Sequence, residues 1–211
     1  MSRRRVCVLI SGGGSNLQAL LDAEKSADAA YRIVAVISNR PGAGGLDRAR
    51  AAGVEAIAID HKRFPDRAAF DGALAARIAE TGADLVACAG FMRVLTAGFV
   101  ERFEGRLINI HPSLLPSFRG VDTHARALDA GVAFAGCTVH WVSAGVDEGA
   151  IIGQAVAPVL AGDTAETLAA RVLAREHALY PACLDLVARG RARLAGGRNW
   201  LDGAPGALAL P

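Results

Sequence analysis

Residues 106–120, RLINIHPSLLPSFRG, place a carboxamide and an imidazole two positions apart at the end of an apolar run. Buried without partners, such groups cost stability, so Asn109 and His111 at a strand end call for a reason. On an extended strand their side chains share a face while Ile110 turns away. Pro112 has no N–H to offer, so it ends the ladder and sets the exit direction. A carboxamide can donate to an oxygen that gains negative charge during a reaction, and an imidazole can donate to it or shuttle a proton. The plainer reading is a strand end whose Asn and His are simply satisfied.

A carboxylate would complete the first reading, because it favours the imidazolium. Asp147, in WVSAGVDEGAIIGQ, is the best candidate, with Gly145 and Gly149 expected to make its loop pliable. Glu148 is the local competitor, and a role for Asp147 as a turn residue stands open beside the chemical one.

A second stretch, SGGGSNLQAL at 11–20, follows the first strand directly. Glycines let the backbone turn sharply, Ser15 or Asn16 can cap the next helix, and a helix N-terminus offers N–H groups to an anion. A phosphate site is the natural inference, whereas a tight turn alone explains the glycines but not the Ser-Asn after them. The dinucleotide fingerprint is not met: Leu17 stands where glycine is needed, and the second strand ends in Ser38, Asn39 and Arg40 without a ribose-binding acid. A third stretch, AGFMRVL at 89–95, fits two roles: Phe91, Met92, Val94 and Leu95 as core, or as walls around a flat aromatic ligand.

These stretches need elements to position them. Apolar runs at 6–10, 33–38, 54–59, 84–89 and 107–110 alternate with helical patterns at 15–25, 44–52, 66–81 and 96–103. That alternation predicts an α/β, Rossmann-like fold: a mostly parallel sheet with helices on both faces. In such sheets ligands gather beyond the carboxyl ends of the strands, where the glycine loop and Asn109 both fall. Gly53 and Gly82 sit where helix C-caps are expected. After residue 120 a short helix near 122–130 precedes GCTVHWV and IIGQAVAPV, which read as an antiparallel C-terminal extension of the sheet. Asp163 and Glu166 form a capping-box pattern for a long helix over 164–189, which Pro181 is expected to kink or break. The expected organisation is a single domain: a phosphate-binding half (1–105), a second half (106–190) and a surface tail (191–211).

The chain has 211 residues, 52% hydrophobic and 21% charged, enough for a sizeable core. A net charge of +2 with no basic block beyond Arg3–Arg5 argues against a nucleic-acid footprint. The apolar run after those arginines ends at Ser11, which disfavours a signal peptide, and no stretch reaches the roughly 20 apolar residues of a membrane span. A cytoplasmic protein is the expectation. Cys7, Cys88, Cys137 and Cys183 stand singly, and the five histidines lack metal-binding spacing, so neither a disulfide framework nor a metal site is expected.

GGGSNLQAL, AGFMRVL, INIHPSLLPSFRG, VHWVSAGVDEGAIIGQ, REHALYP and NWLDG occur in one order and at familiar separations. In these the chain resembles the folate-dependent formyltransferase family, and within it the phosphoribosylglycinamide formyltransferases, over essentially its whole length. The resemblance implies transfer of a formyl group from 10-formyltetrahydrofolate, a co-substrate, to glycinamide ribonucleotide in purine synthesis, without a metal. It implies that Gly14, Ser15 and Asn16 hold the substrate phosphate and that Glu176 contacts the glycinamide. It further implies that Arg67, Met92, Arg93, Val94 and Leu95, with Asn109, contact folate, and that Asn109, His111 and Asp147 are catalytic. Ala150 and Leu173 depart from the family pattern, which carries a proline and often a glutamine there. The implied partners are small molecules only, in a monomer or homodimer. A 10-formyltetrahydrofolate hydrolase is the alternative.

Overall fold

Five consecutive residues of the first strand, Val6–Ile10, are fully buried, so both faces of this strand must be covered. That is the position of a central parallel strand between helices, and each large apolar side chain so buried is worth about 1.5–3 kcal/mol. The computed structural model describes residues 2–211, which form two compact units, one ending at Ile108 and one spanning Asn109–Pro211.

In the first unit β1 (Arg4–Ile10) lies between β2 (Tyr31–Ser38) and β4 (Leu85–Cys88), and β3 (Glu55–Ala58) borders β2, all parallel. Helices α1 (Ser15–Ala23), α2 (Gly45–Ala51), α3 (Arg67–Glu80) and α4 (Ala97–Arg102) alternate with these strands as the sequence predicts. Gly53 and Gly82 adopt positive φ (71° and 64°) directly after the C-caps of α2 and α3. β5 (Leu107–His111) begins at the end of this unit and finishes in the next.

In the second unit α5 (Thr123–Asp129) leads to β6 (Phe134–Trp141), which pairs antiparallel with β7 (Ile151–Pro158). The expected α/β class, mostly parallel strands with an antiparallel C-terminal extension, is therefore observed. The long helix α6 (Ala165–Ala188) packs on β6 and β7 through a buried stripe that includes Leu168, Val172, Leu179 and Leu184. It continues through Pro181 without a break. A proline inside a helix costs about 3 kcal/mol. The burial of these leucines and valines exceeds that cost.

Two other expectations are corrected. The capping box at α6 is formed by Thr164 and Thr167, not by Asp163 and Glu166. Asp163 is engaged elsewhere, accepting two bonds from Arg171 (2.7 and 2.9 Å) and one from the Leu160 N–H (2.7 Å). The C-terminal segment, though largely exposed, is not a structureless tail. β8 (Ala192–Ala195), β9 (Arg198–Leu201) and β10 (Ala204–Pro205) form a small antiparallel sheet, and β11 (Leu208–Leu210) pairs in parallel with β7.

The Arg171 guanidinium holds the Asp163 carboxyl well below the usual carboxylate range, helped by the Leu160 and Thr167 hydrogen bonds. A depressed folded-state pKa stabilises the fold above the unfolded value of about 3.9, and this contribution fades as pH falls through the depressed value. Urea midpoints followed against pH should therefore be lower for Asp163→Asn than for the wild type at neutral pH and converge with it in strong acid.

Candidate active site

The second unit brings Asn109, His111 and Asp147 into one polar cluster. His111 is 5% exposed, and its Nδ1 lies 3.3 Å from Asp147 Oδ2 while its Nε2 donates to the Phe118 carbonyl at 3.1 Å. Both ring nitrogens thus face oxygen acceptors. Asp147 Oδ2 also accepts the Gly120 N–H at 2.9 Å. Asp147 sits in the left-handed region (φ 53°), which a short polar side chain tolerates better than most. Glu148, the adjacent acid, points elsewhere and pairs with Arg119 at 2.6 Å. Of the two acids, Asp147 is the one beside His111.

A fourth polar group joins these three. His140, on β6 and 2% exposed, lies with Nε2 3.2 Å from Asn109 Nδ2 and 3.7 Å from Asp147 Oδ1. Its Nδ1 is 2.9 Å from the Trp141 carbonyl. Burial pushes the His140 imidazole below its ordinary pKa, and His111 adds to the effect, while the Trp141 carbonyl and Asp147 oppose it.

The chain that leaves β5 is tied down by β6 and β7. Thr138 Oγ1 donates to the Ser113 carbonyl (2.7 Å) and accepts from the Leu115 N–H (3.0 Å) and from Gln154 Nε2 (3.0 Å). Gln154 also donates to the Leu115 carbonyl, and Ser113 Oγ to the Ser117 carbonyl at 2.6 Å. This network carries the chain to Phe118, which holds a positive φ of 54° and turns its carbonyl to His111. Gly149 has a steric reason of its own: a Cβ at this position would lie 1.6 Å from the Trp141 carbonyl oxygen.

The first unit holds the glycine loop. Gly14, the N-cap of α1, has φ 74° and no side-chain cap, so the expected capping by Ser15 or Asn16 does not occur. Its place is fixed by α2. The Gly45 N–H donates to the Gly12 carbonyl (3.0 Å) and Arg48 Nε to the Gly13 carbonyl (2.8 Å). A Cβ on Gly14 would approach Gly45 Cα to 2.8 Å, so two glycines are needed where the helix starts meet. With carbonyls 12 and 13 drawn toward α2, the first-turn N–H groups of α1 keep their anion-binding capacity.

Ser11 connects this loop to the next stretch. Its hydroxyl donates to Asn39 Oδ1 at 2.6 Å and accepts the Met92 N–H at 2.8 Å. Met92 and Val94 are 65% and 50% exposed, which decides against the core role for these two, while Phe91 and Leu95 are half-buried. α3 anchors the other end of the segment. Asp71 Oδ2 accepts the Thr96 N–H at 2.7 Å, and the Arg93 guanidinium stacks 4.8 Å from the Phe70 ring centroid. Arg67 occupies the exposed first position of α3, one turn before Phe70.

Glu176 is buried on α6 and, after burial itself, is the next cause that raises the Cys137 thiol to about 12. Ser11, Gly45, Arg48 and His140 are not among the residues that the sequence patterns single out. His140 carries the same signal as Asn109, a polar side chain inside an apolar strand. Arg48 carries none, because its role depends on a carbonyl thirty-five residues away. Among the described residues no group of three or more His, Cys, Asp or Glu could hold a metal ion, and no helix is long and apolar enough to cross a membrane.

Comparison with known proteins extends this picture. A formyl transferase family model matches residues 4–184. The chain is 44% identical to phosphoribosylglycinamide formyltransferase of Escherichia coli over 198 residues, which cover 94% of this chain and 93% of that one. It is 50% identical over 192 residues to the bovine trifunctional purine biosynthetic protein adenosine-3, covering 91% of this chain but only 19% of that much longer protein. Among solved structures, the phosphoribosylglycinamide formyltransferase of Coxiella burnetii superposes with a TM-score of 0.95 at 43% identity, covering 100% of both chains. A glycinamide ribonucleotide transformylase of Symbiobacterium toebii gives 0.91 at 50% identity, covering 94% of each chain. With its sequence and its fold both matched along nearly their full length, the chain belongs to the formyl transferase family.

Proposed function

We propose that the protein transfers the formyl group of 10-formyltetrahydrofolate to the primary amine of glycinamide ribonucleotide; the names of its relatives indicate, for them, formyl transfer to phosphoribosylglycinamide. The observation that carries this reading is the cluster in which buried His111 faces the half-buried Asp147 carboxylate through Nδ1 and the Phe118 carbonyl through Nε2, with the half-buried Asn109 carboxamide two residues before it on the same strand. The glycine loop of Gly14, Ser15 and Asn16 receives the ribonucleotide phosphate, and Glu176 meets the glycinamide. Arg67, the 92–95 segment of Met92, Arg93, Val94 and Leu95, and Asn109 receive the folate. The exposed apolar side chains of Met92 and Val94 fit a flat ring, and α3 holds them at a fixed height.

The reaction is a direct displacement at the formyl carbon. The amine adds to that carbon, the carbonyl oxygen takes up negative charge, and the bond to the folate nitrogen then breaks as the attacking amine loses a proton and the departing nitrogen gains one. Asn109 donates its remaining amide N–H to the developing oxyanion. The oxygen also replaces the Phe118 carbonyl at His111 Nε2. Asp147 faces Nδ1 of the ring and keeps its plane fixed. Holding both substrates in reacting geometry supplies much of the remaining acceleration.

Incubating the full chain with 10-formyltetrahydrofolate, with and without glycinamide ribonucleotide, tests the reading. Formyl release should depend on the ribonucleotide, and equal release in its absence would identify a hydrolase instead. His111→Ala and Asp147→Asn should each lower kcat by about a hundredfold or more, the scale of a lost oxyanion donor, while Glu148→Gln stays within about threefold of wild type. Replacing the ribonucleotide by its dephosphorylated nucleoside should raise KM with little change in kcat. Such a pattern marks a phosphate contact that binds ground state and transition state alike.

A further inference from the structure

We propose that His140 is a positioning residue that decides which end of the Asn109 carboxamide faces β6, and does so as a neutral imidazole carrying its proton on Nδ1. The inference rests on the functional reading above for its kinetic consequences but not for its geometry. A backbone carbonyl can only accept, so the Trp141 oxygen 2.9 Å from Nδ1 requires a proton on that nitrogen. In the neutral ring Nε2 is then an acceptor, and the group 3.2 Å from it must donate. Only the amide nitrogen of Asn109 can do so. One amide N–H is thereby committed to His140, the oxygen is turned away from β6, and the second N–H is left for the reacting oxygen.

Three features of the fold hold this arrangement. The pairing of β6 with β7 shifts register between Val139 and His140, a bulge that re-aims the side chain at this position. Gly149 leaves the volume that the Trp141 carbonyl occupies, and the site of its absent Cβ lies 3.4 Å from His140 Nδ1. Trp141 itself is anchored through its indole N–H to Asn199 Oδ1 at 2.9 Å.

The charged and titratable groups facing the ring are Asp147, with Oδ1 3.7 Å from Nε2, and His111. Burial keeps the ring neutral at neutral pH. As pH falls through its lowered pKa, Nε2 becomes a donor and confronts the amide N–H. The carboxamide must then turn over, which removes the donor from the oxyanion. Turnover should fall along an acid limb that belongs in part to His140.

The test uses the full chain with His140→Phe, His140→Gln, Asn109→Ala and the double variant. His140→Phe should lower kcat about tenfold with both KM values within about twofold, the scale of one hydrogen bond that orients a reacting group. His140→Gln, whose side-chain oxygen can accept at the Nε2 position, should recover most of the rate and move the acid limb to lower pH because it does not titrate. The double variant should be no slower than Asn109→Ala alone. Imidazole 15N spectra of the substrate-free wild type should show a neutral ring protonated on Nδ1 at neutral pH. An Nε2–H tautomer or an imidazolium there would overturn the proposal, as would a double variant in which the two losses multiply. If the wild type transferred no formyl group at all, the functional reading would fail, and the 15N spectra would still judge the inference, even if His140→Phe did not fold.

Discussion

A carboxylate whose side chain is only 13% exposed needs compensation from its surroundings, and at Asp147 that need organises everything nearby. Removing a charge from water costs several kcal/mol unless donors and opposite charge replace the lost solvent. Here they come from two places in the chain: the ring of His111 and the backbone N–H of Gly120. Each of these is itself constrained. The Phe118 carbonyl holds the far side of His111, and the 113–118 segment that presents it is bound to Thr138 and Gln154. The polar cluster is thus one unit, in which moving any member leaves another without a partner.

A second consequence concerns rigidity. Trp141 is 1% exposed, and its indole nitrogen is bound to Asn199, whose own amide donates to the Gly206 carbonyl at 2.7 Å. The strand end that carries His140 is therefore buttressed from the C-terminal segment, some sixty residues away. Fixed dipoles serve a developing charge best when they need not reorganise, and this support reduces that reorganisation. The glycine loop follows the same logic in the first unit, where Arg48 and Gly45 hold two carbonyls in place.

Much of this was legible in the sequence, for identifiable reasons. The strands β1, β2, β4 and β5 announce themselves because burial on both faces demands largely continuous apolar runs, and Asn109 and His111 stand out against such a run. His140 obeys the same rule within GCTVHWV, yet attention to the strand's alternation alone passes over it. Asp147 and Glu148 are indistinguishable locally. Arg119, twenty-nine positions before Glu148, separates them by drawing Glu148 outward. Gly149 reads as a flexible point because a sequence displays a missing side chain but not the carbonyl that fills its place. The capping of α6 is displaced by one residue because Arg171, a turn and more along, claims Asp163 first. The strands after residue 190 are only two to four residues long and are separated by glycines at 196, 197, 203 and 206, and β11 gains its conformation from a partner fifty-five residues earlier.

That last pairing has a bearing on solubility. On the side away from β6, β7 would present a row of unpaired N–H and C=O groups, the template by which one chain recruits another into cross-strand aggregates. Leu208–Leu210 runs alongside Gly153–Ala155 and covers part of that row. Proteolytic nicking or a fused peptide at this end would therefore act first on self-association, before any effect on the buried chemistry was felt.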